Sequence, residues 1–439
     1  MEFVELTEKE FKSFEISHVY GSFYQTINWG KLKEKNGWKY YLLGIKENKN
    51  VVAATLLLKK KVFKNISIMY APRGYLIDYN NFNLLKFFTY NIKKFGRKNN
   101  AIFIKIDPYV IYKERDINGD IVKKGINNSN VVERLINLGY KRYDTNQIKL
   151  QPQYAFALNF NNRSIDEIFD NFEPTTRKMI RKNEKMGIYC REIGVKELNK
   201  FTDVMNSTSA RREFIDRPFE YYKNMVNIFK DDLKIVIAEI NLKNYIKNLK
   251  LEIKTNKEEI KKKENEIKNK GNINVEKTNN IIKEYNNVID SLNKRLERGI
   301  ELQKSKGDIV VLGGIMFLLH NKEMLSLFGG AYGEYKDFMV AYSTNWYMIQ
   351  YAVKNGYNKY NFYGISNFKD KEDKMYGLYD FKRGFGGNVE EYIGEYDLVV
   401  SKIWYFIYNV LYTNIYLKIK KFKLKKNSNY EVNPILDTL

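Results

Sequence analysis

The stretch IVVLGGIMFLLHNK (309–322), followed by LSLFGGAYGEYKDF (325–338), STNWYMIQYAVKNGYNKY (343–360) and NFYGIS (361–366), reads as a strand, an aromatic-glycine loop, a helix and a second strand. The same order occurs earlier, in VVAATLLLKK (51–60), IMYAPRGYLIDY (68–79), NLLKFFTYNIKKFGRKNN (83–100) and AIFIKIDP (101–108). Recurrence at nearly equal spacing indicates a duplicated α/β unit rather than two unrelated domains.

Between the two copies the pattern breaks. From Asn241 to about Lys306 proline is absent, charge is dense, and Ile246, Ile253, Ile260 and Ile267 recur every seven residues with Leu242 and Leu249 between them. Beyond Gly271 and Asn272 a second stripe runs through Ile281, Tyr285, Val288, Leu292 and Leu296. Two heptad-like helices around one break describe an antiparallel coiled-coil hairpin. Placed between the strands KIVIAEI (234–240) and DIVVLGGIMFLL (308–319), it leaves the sheet intact and projects as an arm.

A chain of 439 residues with 44% hydrophobic and 15% aromatic residues has the length for two units and the means to bury their cores. Its net charge of +23 predicts attraction to phosphates or to an anionic membrane surface, although a general Lys-, Asn-, Ile- and Tyr-rich bias explains part of the excess. One cysteine, Cys190, excludes an internal disulfide, and with only His18 and His320 there is no zinc cluster and no histidine relay. His320, in FLLHNK, reads as structural. Catalysis, if present, runs without metal, thiol or imidazole. The N-terminal MEFVELTEKEF lacks a signal-peptide pattern and no run of 18 clean apolar residues occurs, so a cytoplasmic location is expected. The segment from Ser401 to Lys426 is an aromatic-aliphatic helix running into a lysine cluster, docked on the body or lying at a membrane interface.

An ordered set of motifs resembles one family. QTINWGKLKEKNGW (25–38), MYAPRGYLIDY (69–79), IKIDPYV (104–110), TRKMIRKNEKMGI (176–188), REFIDRPFEYY (212–222), FGGAYGEYKDFMVAYSTNWYMIQYA (328–352), YNFYGIS (360–366) and LYDFKRGFGG (378–387) together resemble the Fem family of peptidoglycan aminoacyltransferases over the whole chain. The resemblance implies an α/β (α+β) fold of two tandem GNAT-like domains from an internal duplication, with the coiled-coil arm inserted in the second. The corresponding boundaries are 1–153 for the first domain, 154–240 and 308–395 for the second, 241–307 for the arm and 396–439 for a C-terminal amphipathic helix and basic tail.

It also implies the reaction: an amino acid passes from aminoacyl-tRNA to the stem-peptide amine of a peptidoglycan precursor, lipid II or UDP-MurNAc-pentapeptide, with no cofactor and no coenzyme A. Related Fem proteins and the inner membrane face are the further partners implied. An aminoacyl ester is already activated, so aminolysis needs a positioned amine and a donor for the oxyanion rather than a nucleophilic side chain.

Carried onto this chain, Phe381 and Lys382 meet the tRNA acceptor end, with Arg383 beside them. Arg217 and Tyr221, or Tyr222 in the alternative register, meet the diphosphate-sugar substrate. Lys33, with Lys31 as the competing register, lies near the same substrate, and Arg73 is grouped with them. Asp107 orients the amine or merely caps a turn. Tyr332 and Tyr335 lie in GGAYGEYK, where the family shows a small polar residue and an arginine in place of Tyr332 and Lys336. Arg177 and Arg181, with Lys185 one turn on, form a phosphate-contacting stripe for tRNA or an ordinary solvated face.

Two rival classes remain from the residues alone. An acetyl-CoA-dependent enzyme would need a pyrophosphate loop, which FKRGFGGNVEEY only loosely imitates. A non-enzymatic basic scaffold for nucleic acid or membrane explains the charge and the arm but not the ordered motifs.

Overall fold

The computed structural model describes residues 1–143, 150–269, 274–366, 368–373 and 375–411. Two mixed sheets carry the fold. The first has the spatial order Glu2–Glu5, Lys39–Glu47, Asn50–Phe63, Ile66–Ala71, Ala101–Ile106, Tyr396–Val399 and Tyr140–Arg142. Its first four strands are antiparallel; the helix Phe82–Lys98 then carries the chain across to make Ala101–Ile106 parallel to Ile66–Ala71. The Asn81 side chain accepts from the Leu84 amide to start that helix, and Leu84, Leu85, Phe88 and Ile92 bury one face against the sheet.

The second sheet repeats the plan. Ile188–Ile193, Leu233–Asn241, Ile309–His320 and Glu323–Ala331 are antiparallel, and the helix Ala341–Lys354 leads into Lys359–Ile365, parallel to Glu323–Ala331. The repeated strand-helix-strand order is therefore a repeated sheet topology.

Past each parallel pair the sheets depart from simple tandem units. In the first sheet the next strand is Tyr396–Val399, drawn from the far end of the chain. In the second it is Tyr154–Asn159, then Asn388–Tyr392 and Ile111–Glu114. Segments from each half thus complete the other's sheet. Residues 396–399, which the sequence assigns to the start of a C-terminal helical element, form a strand because Tyr396, Asp397 and Leu398 are all buried. The helix begins at Lys402 and is described as far as Leu411; the lysine cluster beyond it lies outside the described residues.

The helices Leu242–Lys268 and Val275–Lys306 occupy the span between Leu233–Asn241 and Ile309–His320. The Leu242 amide donates to the Asp308 carbonyl at 2.8 Å, closing the base, so the helices run antiparallel. Leu249 and Ile253 meet Ile289 and Leu292 in one apolar cluster. The second stripe is offset by one residue from the sequence pattern: Ile289 is buried and Val288 is 43% exposed. Stepping by four rather than three from Tyr285 keeps the seam on one face. The break at Gly271 and Asn272 lies outside the described residues.

The exchanged strand is held by charge as well as backbone. The Lys105 ammonium lies 2.8 Å from Asp397 Oδ1 and 3.8 Å from Glu395 Oε2, with all three groups sealed from water. Removing one partner from a buried pair strands the other. Asp397→Ala is expected to cost about 3–5 kcal/mol, read as a lowered urea midpoint.

Candidate functional site

A shared apolar cluster joins the two halves, packing Phe23, Tyr24 and Trp29 of the first with Tyr221, Tyr222 and Met225 of the second. The helix Ile27–Lys35, capped by the Thr26 hydroxyl on the Trp29 amide, lies against the helix Phe219–Phe229. Together they bring Lys33 beside Arg217 and Tyr221. The Lys33 ammonium sits 4.7 Å over the Trp29 ring, and the Arg217 guanidinium 5.7 Å over Tyr221. Burial, then the positive charges of Arg217 and Lys60, pushes Lys33 down to about 7.

The alternative registers differ in their surroundings. Lys31 is exposed and pairs with Glu8, whereas Lys33 faces inward. The Tyr222 hydroxyl donates to Asp216 at 2.5 Å, which leaves Tyr221 beneath the guanidinium. Arg217 makes no ion pair among the described residues. Like cations gathered on a partly desolvated wall raise each other's energy, and an anion placed among them lowers it.

Arg73 and Asp107 form the next layer. Arg73 lies in the left-handed region with φ 53°, and its amide donates to Asp107 Oδ1 at 2.7 Å. Its guanidinium donates to the Pro152 carbonyl at 3.1 Å and faces the rings of Tyr392 and Tyr109 at 4.5 and 5.6 Å. Both residues are almost fully buried. Asp107 is pushed up to about 7 by burial, against the lowering pull of Arg73. Asp107 therefore fixes the Arg73 loop, which is more than capping a turn. Beside them a cavity of about 20 Å³, room for roughly one water, is lined by Tyr24, Arg73, Tyr109, Glu323, Asn361 and Tyr363.

Tyr363 links this layer to Lys382. It has φ 65° where the pairing register shifts between Asn361 and Gly364. Its hydroxyl donates to Gln151 Oε1 at 2.7 Å and lies 2.9 Å from the Tyr24 hydroxyl. Its carbonyl and that of Gly364 accept from the Lys382 ammonium at 3.3 and 2.7 Å. Lys382 is buried with no carboxylate partner among the described residues, and burial pushes it down to about 7. Phe381 packs edge-on against Tyr342 and Phe385 at 4.9 and 5.4 Å. Arg383 is answered within the protein by Glu173 at 3.1 Å and Asp380 at 3.2 Å.

The Glu173 amide donates to the Gly384 carbonyl, attaching the helix Pro174–Lys185 to the Lys382 helix. Its Arg177, Lys178, Arg181, Lys182 and Lys185 line a cleft of about 500 Å³ whose other wall is the base of the helical hairpin, including Arg295 and Glu252. Arg181 stacks over Phe169 at 5.2 Å, and Arg177 also donates to the Asp170 carbonyl. Tyr332 and Tyr335 lie elsewhere: they meet edge-on at 5.8 Å, and Tyr335 is buried with Tyr245 and Phe338 in the core under the hairpin.

The glycine run after Lys382 is not an open phosphate cradle. The amides of Gly384, Phe385 and Gly386 donate to the Asp380, Lys382 and Arg383 carbonyls, closing the C-terminal end of a helix. A Cβ on Gly387 would lie 2.2 Å from the Ala157 carbonyl oxygen, so this loop packs against protein backbone. Anion cradles use free amides at helix N-termini instead.

Sequence reasoning assigned no role to Tyr363, Tyr24, Gln151 or Lys60. Tyr363 stood in the YNFYGIS motif, and the glycine after it marks the bulge; Gln151 carried no signal.

Two duplicated sheets sharing one cation-lined junction define an α/β protein with a candidate site between its halves. The family model for the FemAB family matches residues 6–413, and the chain belongs to that family. Aminoacyltransferase FemA of Staphylococcus aureus strain bovine RF122 / ET3-1 is 30% identical over 418 residues, covering 94% of this chain and 98% of that protein. FemA of strain N315 matches to the same extent. Among solved structures, FemX superposes with a TM-score of 0.72 at 24% identity, covering 93% of this chain and 99% of that one, which shows the shared fold.

Lys33 generates a pH test. A lysine at about 7 in the folded state against 10.5 unfolded destabilises the fold fully below pH 7, and the cost fades as pH rises toward 10.5. Lys33→Met is expected to raise the thermal midpoint at pH 6 and to do so less at pH 10.

Proposed function

We propose that this FemAB-family protein is an aminoacyltransferase that takes its amino acid from aminoacyl-tRNA and adds it to the stem-peptide amine of a peptidoglycan precursor, forming part of the interpeptide bridge. Membership in the family and the aminoacyltransferase activity for which its FemA relatives are named support the transferase class. The observation that carries the finer reading is the Lys382 ammonium, buried on two carbonyl oxygens in a helix whose end is joined through Glu173 and Gly384 to the helix lining the cation-rich cleft.

In this reading the tRNA acceptor arm follows Arg177, Lys178, Arg181, Lys182 and Lys185, and its 3′ end reaches Phe381 and Lys382. Arg383, already paired, contributes through the shape of the helix end. The precursor's diphosphate lies among Lys33, Arg217 and Tyr221, where a guanidinium can fork onto phosphate oxygens. The free amine attacks the aminoacyl ester carbon and a carbon–nitrogen bond forms. The carbon–oxygen bond to the ribose then breaks, and the proton lost by the amine leaves on the ribose hydroxyl. Lys382 meets the developing oxyanion, whose arrival favours its charged form. Asp107 acts through Arg73 by holding its loop. A lipid-linked acceptor would bring the protein to the inner membrane face. No helix among the described residues is long and apolar enough to cross a membrane.

A coenzyme-A-dependent acyl transfer is disfavoured by the closed Gly384–Gly387 turn. A purely structural basic scaffold does not account for Lys382, buried without a carboxylate among the described residues.

Incubation with total charged tRNA and precursor, followed by mass analysis of the product, tests the reading. Lys382→Ala is expected to slow transfer about 10²-fold with the fold retained. Arg217→Ala is expected to raise the acceptor KM about tenfold, the scale of one charged hydrogen bond. Unchanged transfer in both variants would overturn these roles. Arg177→Glu combined with Arg181→Glu should weaken tRNA binding and flatten its dependence on salt, measured by filter binding across ionic strengths.

A further inference from the structure

The helix Lys402–Leu411 uses only one side to hold the body. Tyr405 and Tyr408 meet Phe103 edge-on at 5.7 and 5.3 Å, and the Tyr405 hydroxyl donates to Asp397 at 3.0 Å. The other side carries Ile403, Phe406 and Val410, a three-and-four spacing that lines one stripe. Ile403 is 74% and Phe406 70% exposed, with Val410 and Trp404 partly so.

Cations crowd the same region. Lys93, on the helix Phe82–Lys98, lies close enough to Arg97 and Lys402 that burial, then these two like charges, depress it. Among the described residues none of Lys93, Arg97 and Lys402 makes an ion pair. An apolar stripe bordered by unanswered cations complements a surface that is greasy beneath and anionic on top. A second protein copy would have to present both features to itself, setting like charges against like.

We propose that this region docks the protein on an anionic lipid bilayer, with Ile403, Phe406 and Val410 entering the headgroup boundary and Lys93, Arg97 and Lys402 meeting lipid phosphates. The inference builds on the lipid-linked acceptor reading above and names the surface that reading requires. Asp397 gives it a structural route: it joins Tyr405 to Lys105, two residues before Asp107, so the docking helix is braced on the strand that reaches the junction of the halves.

Flotation of the full chain with vesicles of phosphatidylcholine containing phosphatidylglycerol, against phosphatidylcholine alone, tests it. Binding is expected only to the anionic vesicles, to weaken with salt, and to fall at least tenfold in Ile403→Glu/Phe406→Glu and in Lys93→Glu/Arg97→Glu. Transfer to a soluble nucleotide-linked acceptor should be unaltered in both. Undiminished flotation of the apolar double variant, equal binding to neutral vesicles, or no flotation of the native chain would overturn the proposal. So would a dimer, seen by sedimentation, that the apolar variant dissolves. Flotation as expected with no transfer by the native chain would leave the docking face standing and remove the proposed reaction.

Discussion

A lysine ammonium shut away from water between two carboxylates ties the chain's two ends together. Lys105 lies on the strand that ends at Asp107, and Asp397 on the strand that comes after the Lys382 helix and Asn388–Tyr392. Tyr143 and Tyr405 donate to the remaining Asp397 oxygen, which aims that carboxylate. Such a pair contributes little net stability when intact and exacts a large cost when misaligned, so it selects a register more than it strengthens the fold. The register it selects places Arg73 and Asp107 of one half against Tyr363 and Lys382 of the other.

The exchange of strands between sheets makes this alignment hard to lose. If the halves were separate beads on a string, their interface would resemble a transient contact and could slide. Here Ile111–Glu114 of the first half pairs with Asn388–Tyr392 in the second sheet while Tyr396–Val399 pairs with Ala101–Ile106 in the first. Moving one half relative to the other would break backbone ladders in both. A site built from helices of different halves, such as Ile27–Lys35 and Phe219–Phe229, gains from that rigidity, because a shift of an ångström separates Lys33 from Arg217.

The duplicated plan was legible because it is local: each copy has its own apolar strand runs, glycine loop and helix spacing. The exchange was not, since the pairing of Glu391 with Lys113 joins residues far apart in the chain through short strands of mixed polarity that signal nothing alone. In the hairpin, adjacent apolar residues Val288 and Ile289 left two seams open, and packing chose the second. Within the site, Lys33, Arg217, Asp107 and Lys382 came forward because charged residues in aromatic or proline settings stand out and a family resemblance gave them roles. Tyr363 did not, because its contribution to Lys382 is a carbonyl oxygen and a left-handed backbone, neither of which has a side-chain signature. Tyr335 drew notice for its aromatic motif and turned out to fill the core beneath the hairpin.

Two lysines in this protein, Lys33 and Lys382, sit where burial holds them near neutrality. Proteins seldom bury a lysine so deeply, because the neutral form wastes the side chain and the charged form destabilises the fold. An arriving anion offsets both penalties in part, since its charge favours the ammonium in a low-dielectric setting where the attraction is strong. A cation such as Arg191, away from the junction, has Glu197 and Glu239 beside it. Buried lysines on either side of one junction are what the proposed binding of anionic groups there would account for.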